Sequence, residues 1–293
     1  MDRRNETASR YCCFLSEEYF DQLYDTFIEA FSDYVFPFAL TVTQFRNHIN
    51  LNAVDLERTV GCFEDGRLVG FSLNGFGEWG ERPTLYDAGT GVIPSARRRG
   101  VSRAMFDHML PRFKAEGIEQ CVLEVVKTNV GAIHLYQSLD FTSVRELALL
   151  QCDTPVVLKV AEPPGIDVRE IDQPDWSVFR SFRDGKPSWQ NSNDAIRRST
   201  NVKQILGAFD GDVCVGYVIF SAQFGRIAQL AVHPAYRRRG IGSLLLQRMR
   251  AATADGHSLQ VINLDKELEG AMKFFEKHGF YERLIQYEML KLM

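Results

Sequence analysis

The 293-residue chain has no apolar run near the roughly 20 residues that cross a bilayer. Its opening segment, MDRRNETASR, is polar and holds no leader-like apolar core. These absences predict a cytoplasmic protein with no membrane partner. A basic excess is missing too: 34 Lys and Arg stand against 38 Asp and Glu, a net charge of −4. No nucleic-acid partner is therefore expected, since such partners usually select a basic surface. The six histidines form no HxxxH and the six cysteines no CxxC, so no metal site is expected. Most cysteines sit among apolar neighbours, as in CFL, CVL and VCV. There a reduced thiol behaves as a small hydrophobe, which suits a reducing compartment. With 45% hydrophobic and 25% charged residues, the composition is that of a globular protein and excludes a disordered or low-complexity chain.

What the chain does contain is a second copy of itself. Val92, Pro94, Arg97, Arg98, Arg99 and Gly100 recur 140 residues later as Val232, Pro234, Arg237, Arg238, Arg239 and Gly240. Downstream, AIHLYQSLDF (132–141) matches AMKFFEKHGF (271–280) at a shift of 139. Upstream, FEDGRLVGF (63–71) resembles FDGDVCVGY (209–217), each a hairpin signal with Asp-Gly at the turn. Three blocks in one order define a duplicated domain. The patterning lapses around Pro163-Pro164-Gly165. This predicts domains at 1–155 and 166–293 joined by a linker at 156–165, with VVLKV (156–160) either a last strand or a crossover strand. Within the first copy, helices are expected at 17–31, at 41–49 with Thr43 as cap, at 101–115 and at 130–138. Strands alternate with them, giving an α/β fold with a parallel or mixed sheet.

The repeated Arg/Gly turn joins a strand to an amphipathic helix. A helix start offers unpaired N–H groups and a positive dipole end, which together bind phosphate. Gly100, Gly240 and Gly242 would let backbone approach an anion, while Ser102 fills the fourth position in the first copy. The arginines inside the turn disfavour a dinucleotide fingerprint, and the absence of GK[ST] excludes a P-loop.

R-x-x-G-x-G/A after a strand, with LY-x-x-L-x-F ending a later helix, resembles the GNAT superfamily of acyl-CoA-dependent N-acetyltransferases. The resemblance covers nearly the whole chain, twice over. It implies two tandem domains, each a mixed, centrally splayed sheet flanked by helices, and acetyl-CoA as cosubstrate. The pyrophosphate would sit on the backbone amides near Arg98, Arg99, Gly100, Val101 and Ser102, and near Arg238, Arg239, Gly240, Ile241 and Gly242, with Arg97 and Arg237 also counted as cofactor-binding. The pantetheine arm would pair along the strand at Val92 or Val232.

Acetyl transfer to an amine needs a base for the ammonium, donors for the thioester oxygen and an acid for the thiolate. The first copy's LEVVKTNVGAIHLYQSLDF is similar to a stretch of the bacterial ribosomal-protein alanine acetyltransferases. That resemblance implies Glu124 as base, Tyr136 as acid and Asn129 as a contact to the pantetheine arm. Asn129 also reads as a helix cap, and Asp87 is a second candidate base. Asp140 stands where the family usually has Gly. In the second copy Phe275 replaces the tyrosine, Gln260 aligns with Glu124, and Leu268 takes the asparagine's place. Tyr34, Phe36, Phe38 and Trp79, the last in a loop at 75–83, suggest either an apolar acceptor pocket or packing between domains. The expected function is acetyl transfer from acetyl-CoA to a primary amine of a small molecule or peptide, by a monomer or homodimer, with the N-terminal domain catalytic. Catalysis in the C-terminal domain, as in mycothiol-synthase-like proteins, and a non-catalytic CoA-binding or sensing role are the alternatives.

Overall fold

The structure, a computed structural model, describes residues 10–34, 40–153, 162–201, 203–254 and 257–293. VVLKV and the aromatic positions Phe36 and Phe38 lie outside them. The chain divides into two compact units. The first holds the described residues through Glu124, with Gly131–Thr142 and Met289–Met293; the second holds Val125–Val130 and Ser143–Glu288. The units thus depart from the sequence halves. Most of the first repeat's last strand is grouped with the second unit, and the final residues of the chain with the first.

In the first unit, β1 (Arg10–Phe14), β2 (Val60–Glu64), β3 (Arg67–Glu78) and β4 (Pro83–Val92) form an antiparallel series. β4 then pairs in parallel with β5 (Gln120–Val126). Helices α1 (Phe20–Ala30) and α2 (Val42–Leu51) bury Leu23, Phe27, Phe45 and Ile49 against Phe63, Phe71 and Leu73. α2 begins two residues earlier than a cap at Thr43 would set it. Thr41, not Thr43, is its cap, because Thr41 and Gln44 close a reciprocal capping box. α3 (Val101–Ala115) lies on the opposite sheet face and buries Val101, Met105, Phe106, Met109 and Phe113. Gly70 makes room for it: a Cβ there would come within 2.7 Å of Val101. α4 (Val130–Ser138) follows β5.

The expected loop at 75–83 is mostly strand, since β3 runs to Glu78 and residues 75–78 pair with 83–86 of β4. GFGEWG (75–80) carries the glycine spacing of a dinucleotide fingerprint, but it ends in a hairpin turn rather than a helix.

The second unit takes β6 (Thr142–Cys152) from residue 143 onward and pairs it with β11 (Leu259–Asp265). Beyond it come β10 (Arg226–Val232), β9 (Val213–Ser221), β8 (Gln204–Asp210) and β7 (Ile166–Glu170). α5 (Trp176–Ser181), α6 (Asn193–Arg198), α7 (Ile241–Ala252) and α8 (Glu269–Lys277) flank this sheet, and β12 (Tyr281–Leu292) ends the chain. The α7 packing repeats that of α3: a Cβ at Gly216 would lie 3.2 Å from Ile241. Each unit is a mixed sheet flanked by helices. No helix among the described residues is long and apolar enough to cross a membrane.

Candidate active site

The site begins with a backbone irregularity in β4. Leu73 pairs with Gly89 but Asn74 with Asp87, so Ala88 is an extra residue. Such a bulge bends the strand that carries it. The parallel ladder to β5 runs from Thr84–Gln120 to Asp87–Leu123 and stops there. Residues 88–92 continue beside β3 with their other edge past the end of that ladder. His48 of α2 supports the bulge by donating its Nε2–H to the Ala88 carbonyl at 2.9 Å. The second unit repeats the device, with Ala228 as the extra residue and the β11 ladder ending at Ile227–Val261. This is the splay that the family resemblance implies.

The Arg/Gly turn follows the bent strand in both units. Arg98 and Gly100 take left-handed φ values of 59° and 79°, and Arg238 and Gly240 values of 64° and 85°. Gly100 and Gly240 are the N-caps of α3 and α7, and no side chain caps either helix. First-turn amides without a side-chain cap suit an oxyanion. Space does not explain Gly100, since a Cβ there would meet nothing within 4 Å; its positive φ does. Gly242 serves packing, because a Cβ would sit 3.2 Å from the Phe274 ring.

The arginines divide their work differently from expectation. Arg97 donates to the Val92 and Ala30 carbonyls at 3.1 and 2.9 Å and grips both oxygens of Asp33. Arg237 does the same with Val232, Phe182 and Asp184. These two side chains are struts tying the turn to the end of α1 in the first unit and of α5 in the second. Arg99 pairs with Glu64 at 3.0 Å, and Arg239 lies over the Tyr236 ring at 5.0 Å. Arg98 and Arg238 are exposed at the left-handed corner.

Two polar pairs flank the point where β4 leaves β5, one on each sheet face. Tyr86 donates its hydroxyl hydrogen bond to Glu124 Oε2. One residue along, buried Asp87 accepts from the Gly89 N–H at 3.0 Å, the Thr90 hydroxyl at 2.9 Å and the Tyr136 hydroxyl at 3.3 Å. Burial pushes the Asp87 carboxyl up to about 6 despite these three bonds. Burial, then the adjacent Asp87, pushes the Tyr136 phenol well above its ordinary range, so it stays protonated through neutral pH. Phe106 and Phe141 hold the ring edge-on. Tyr34 packs edge-on against Phe31, just past the end of α1. Glu124 and Tyr136, separated by twelve residues in sequence, both fall in the first unit. Asn129 closes the turn before α4, its N–H donating to Val126 at 2.8 Å, and is grouped with the second unit.

Asp140 explains its own oddity. It has φ 65°, the conformation that Gly279 takes at φ 80° in the second copy. Asp is among the few residues that tolerate this region. The local turn survives the substitution.

The second unit lacks this polar group. At the repeat offset, Arg226 replaces Tyr86 and Ile227 replaces Asp87. Gln260 stands level with Arg226, as Val122 does with Tyr86. Gln260 is therefore not the counterpart of Glu124; that position falls at Ile262, beside the irregularity at Asn263. Phe275 is buried where Tyr136 would be. Gln229, in the place of Gly89, fills the space by donating to Asn191 and Asn193 while accepting from Tyr217. No group of three or more His, Cys, Asp or Glu among the described residues is arranged to hold a metal ion.

A bent strand, a left-handed turn without a side-chain cap and a buried acid–phenol pair are what the first unit brings together. Comparison with known proteins gives the family. The pattern described as acetyltransferase (GNAT) family matches residues 17–141, and that of the acetyltransferase (GNAT) domain matches residues 201–282. The chain belongs to the GNAT acetyltransferases, as a tandem member. Streptothricin acetyltransferase of Streptomyces lavendulae is 31% identical over 87 residues, 30% of this chain and 45% of that protein. The [ribosomal protein bS18]-alanine N-acetyltransferase of Escherichia coli K12 is 29% identical over 94 residues, 29% of this chain and 62% of that protein. The chain thus matches less than two thirds of the length of these relatives. A solved tandem GNAT protein from the clavulanic acid biosynthesis pathway shares the fold, with a TM-score of 0.72 at 16% identity over 97% of this chain and 98% of that one.

Proposed function

We propose that the chain transfers the acetyl group of acetyl-CoA to a primary amine of a small molecule or peptide, by direct attack in a ternary complex, with the chemistry in the first unit. Bound acetyl-CoA supplies a thioester whose acyl carbon the amine attacks and whose thiolate leaves. The first-turn amides at Gly100, Val101 and Ser102, with Arg98 beside them, would hold its phosphates. The edge of β4 from residue 88 to 92 would receive the pantetheine arm.

Glu124, braced by the Tyr86 hydroxyl, takes the proton of the ammonium directly or through water. An alkyl ammonium has a pKa of about 10, so attack requires that loss. Tyr136 gives its phenolic proton to the departing thiolate. Its 3.3 Å contact to Asp87 is long for an O–H···O bond, so turning toward a ligand costs little. The single observation carrying this reading is the buried Tyr136–Asp87 pair at the end of the β4–β5 ladder, which the second unit replaces with Phe275 and Ile227. The same replacement argues against catalysis in the second unit.

Streptothricin and a peptide with an N-terminal alanine are the first acceptors to assay, by release of the CoA thiol. Tyr136→Phe and Glu124→Gln should each lower kcat by roughly 100-fold, with CoA affinity held within about twofold since neither side chain belongs to the turn. Wild-type turnover by the double variant would overturn the assignment.

A further inference from the structure

Three cysteines of the first unit lie together at the edge of its sheet, and they are not equivalent. The register of β1 on β2 sets Cys12 directly opposite Cys62, while Cys13 faces Gly61. Opposed residues of an antiparallel pair have Cα atoms about 4.5 or about 5.5 Å apart, depending on the hydrogen-bonding position. Both spacings fall within the roughly 4.4–6.8 Å that a disulfide spans, and the two side chains leave the sheet on the same face. Cys13 alternates to the other face and packs against the cluster of Leu15, Phe20 and Phe63. Cys62 is fully buried, whereas Cys12 is partly exposed on a strand whose sheet neighbour is β2 alone.

From this juxtaposition we propose that Cys12 and Cys62 are a redox modification site: a low-molecular-weight disulfide converts the pair into a cross-strand disulfide, and excess thiol reverses it. Cys12, the accessible sulfur, gives up its proton and attacks one sulfur of the small disulfide. That S–S bond breaks, one small thiolate leaves and takes up a proton, and a mixed disulfide stands on Cys12. Cys62 then loses its proton and attacks the Cys12 sulfur, releasing the second small thiol. Two protein thiols are oxidised and one disulfide is reduced to two thiols.

In the reduced pair the Cys12 thiol donates a hydrogen bond to Cys62, and this bond, with help from Arg10, holds Cys62 below the usual thiol range; once Cys12 carries the mixed disulfide that bond is gone, and Arg10 is the group that still favours the Cys62 thiolate. The same contact, with burial, pushes Cys12 up, so formation of the mixed disulfide is the slow step. The pair also sits against the donor turn. Arg10, two residues from Cys12, bonds Glu64 and the Arg99 carbonyl, and Glu64 pairs with Arg99.

The test is incubation of the reduced full-length chain with oxidised glutathione, followed by non-reducing digestion and mass spectrometry. The expected result is one crosslinked peptide joining Cys12 to Cys62, reversed by dithiothreitol. Cys13→Ser should retain the crosslink and Cys12→Ser should lose it. The oxidised wild type should also melt several degrees higher than the reduced form, a rise absent in Cys12→Ser. If Cys12→Ser does not fold, Cys12→Ala replaces it. Six surviving thiols, a crosslink involving another cysteine, or glutathione retained on Cys12 without displacement would each overturn the proposal.

Discussion

Asp87 is a buried carboxyl held at about 6 by burial, with three hydrogen bonds opposing that shift. Its folded pKa lies above that of an exposed Asp, near 4. The folded chain therefore binds more protons than the unfolded chain between about pH 4 and 6, and stability falls as pH rises through that window. The loss complete above pH 6 is about 2–3 kcal/mol. Asp87→Asn should flatten this part of the profile, as read from denaturant melts at pH 5 and pH 7.5, where the wild type is more stable at pH 5 by about half of this contribution, roughly 1.4 kcal/mol. Glu124 and Tyr136 could be picked out in the sequence because residue type and twelve-residue spacing carry the resemblance. Asp87 had only its type to recommend it, and Tyr86 had nothing. Both gain their roles from cross-strand pairing, which joins Tyr86 to Val122 and Asp87 to Leu123 across more than thirty residues of chain.

At the scale of elements, the strand–turn–helix device depends on two supports that residue patterns only half reveal. One is the bulge at Ala88 and Ala228, invisible in sequence because an extra residue is defined by its partner strand. The other is the strut formed by the first arginine of each RRRG. A triple arginine before a helix invites a single reading as phosphate ligands, yet Arg97 and Arg237 bind carbonyls and an aspartate at the ends of α1 and α5. Arg97→Ala should therefore lower the thermal midpoint by roughly 3–6 °C. Arg98→Ala should leave it within about 1 °C while weakening CoA binding severalfold, since Arg98 is exposed on the turn itself. Thermal melts and equilibrium CoA titration of the pair separate strut from ligand. The repeated helices and strands were legible because amphipathic spacing and Asp-Gly turns are local signals. The cap at Thr41 was missed by two residues because two threonines compete and only Gln44 decides between them.

Across the whole molecule, duplication was readable in the sequence but the grouping into units was not. Offsets of 140 and 139 residues establish two copies. They do not reveal that most of β6, from the first copy, is grouped with the second unit. Arg145 on that strand fixes it there. It makes a bidentate pair with Glu288 at 2.8 Å and a third contact to Asp265 at 3.1 Å, all three groups largely buried. Removing one member of such a set strands the others, at a cost of about 3–5 kcal/mol. Arg145→Ala should lose that much in chemical denaturation. The two copies keep one Arg/Gly turn design, but among the described residues the Asp87–Tyr136 pair has no counterpart in the second, where Ile227 and Phe275 stand. That asymmetry is tested most directly by kcat with an amine that the wild type acetylates, read as CoA released from acetyl-CoA. The double variant Tyr136→Phe, Glu124→Gln should fall by at least roughly 100-fold while still binding CoA. A double variant turning over at the wild-type rate would contradict catalysis by the first unit.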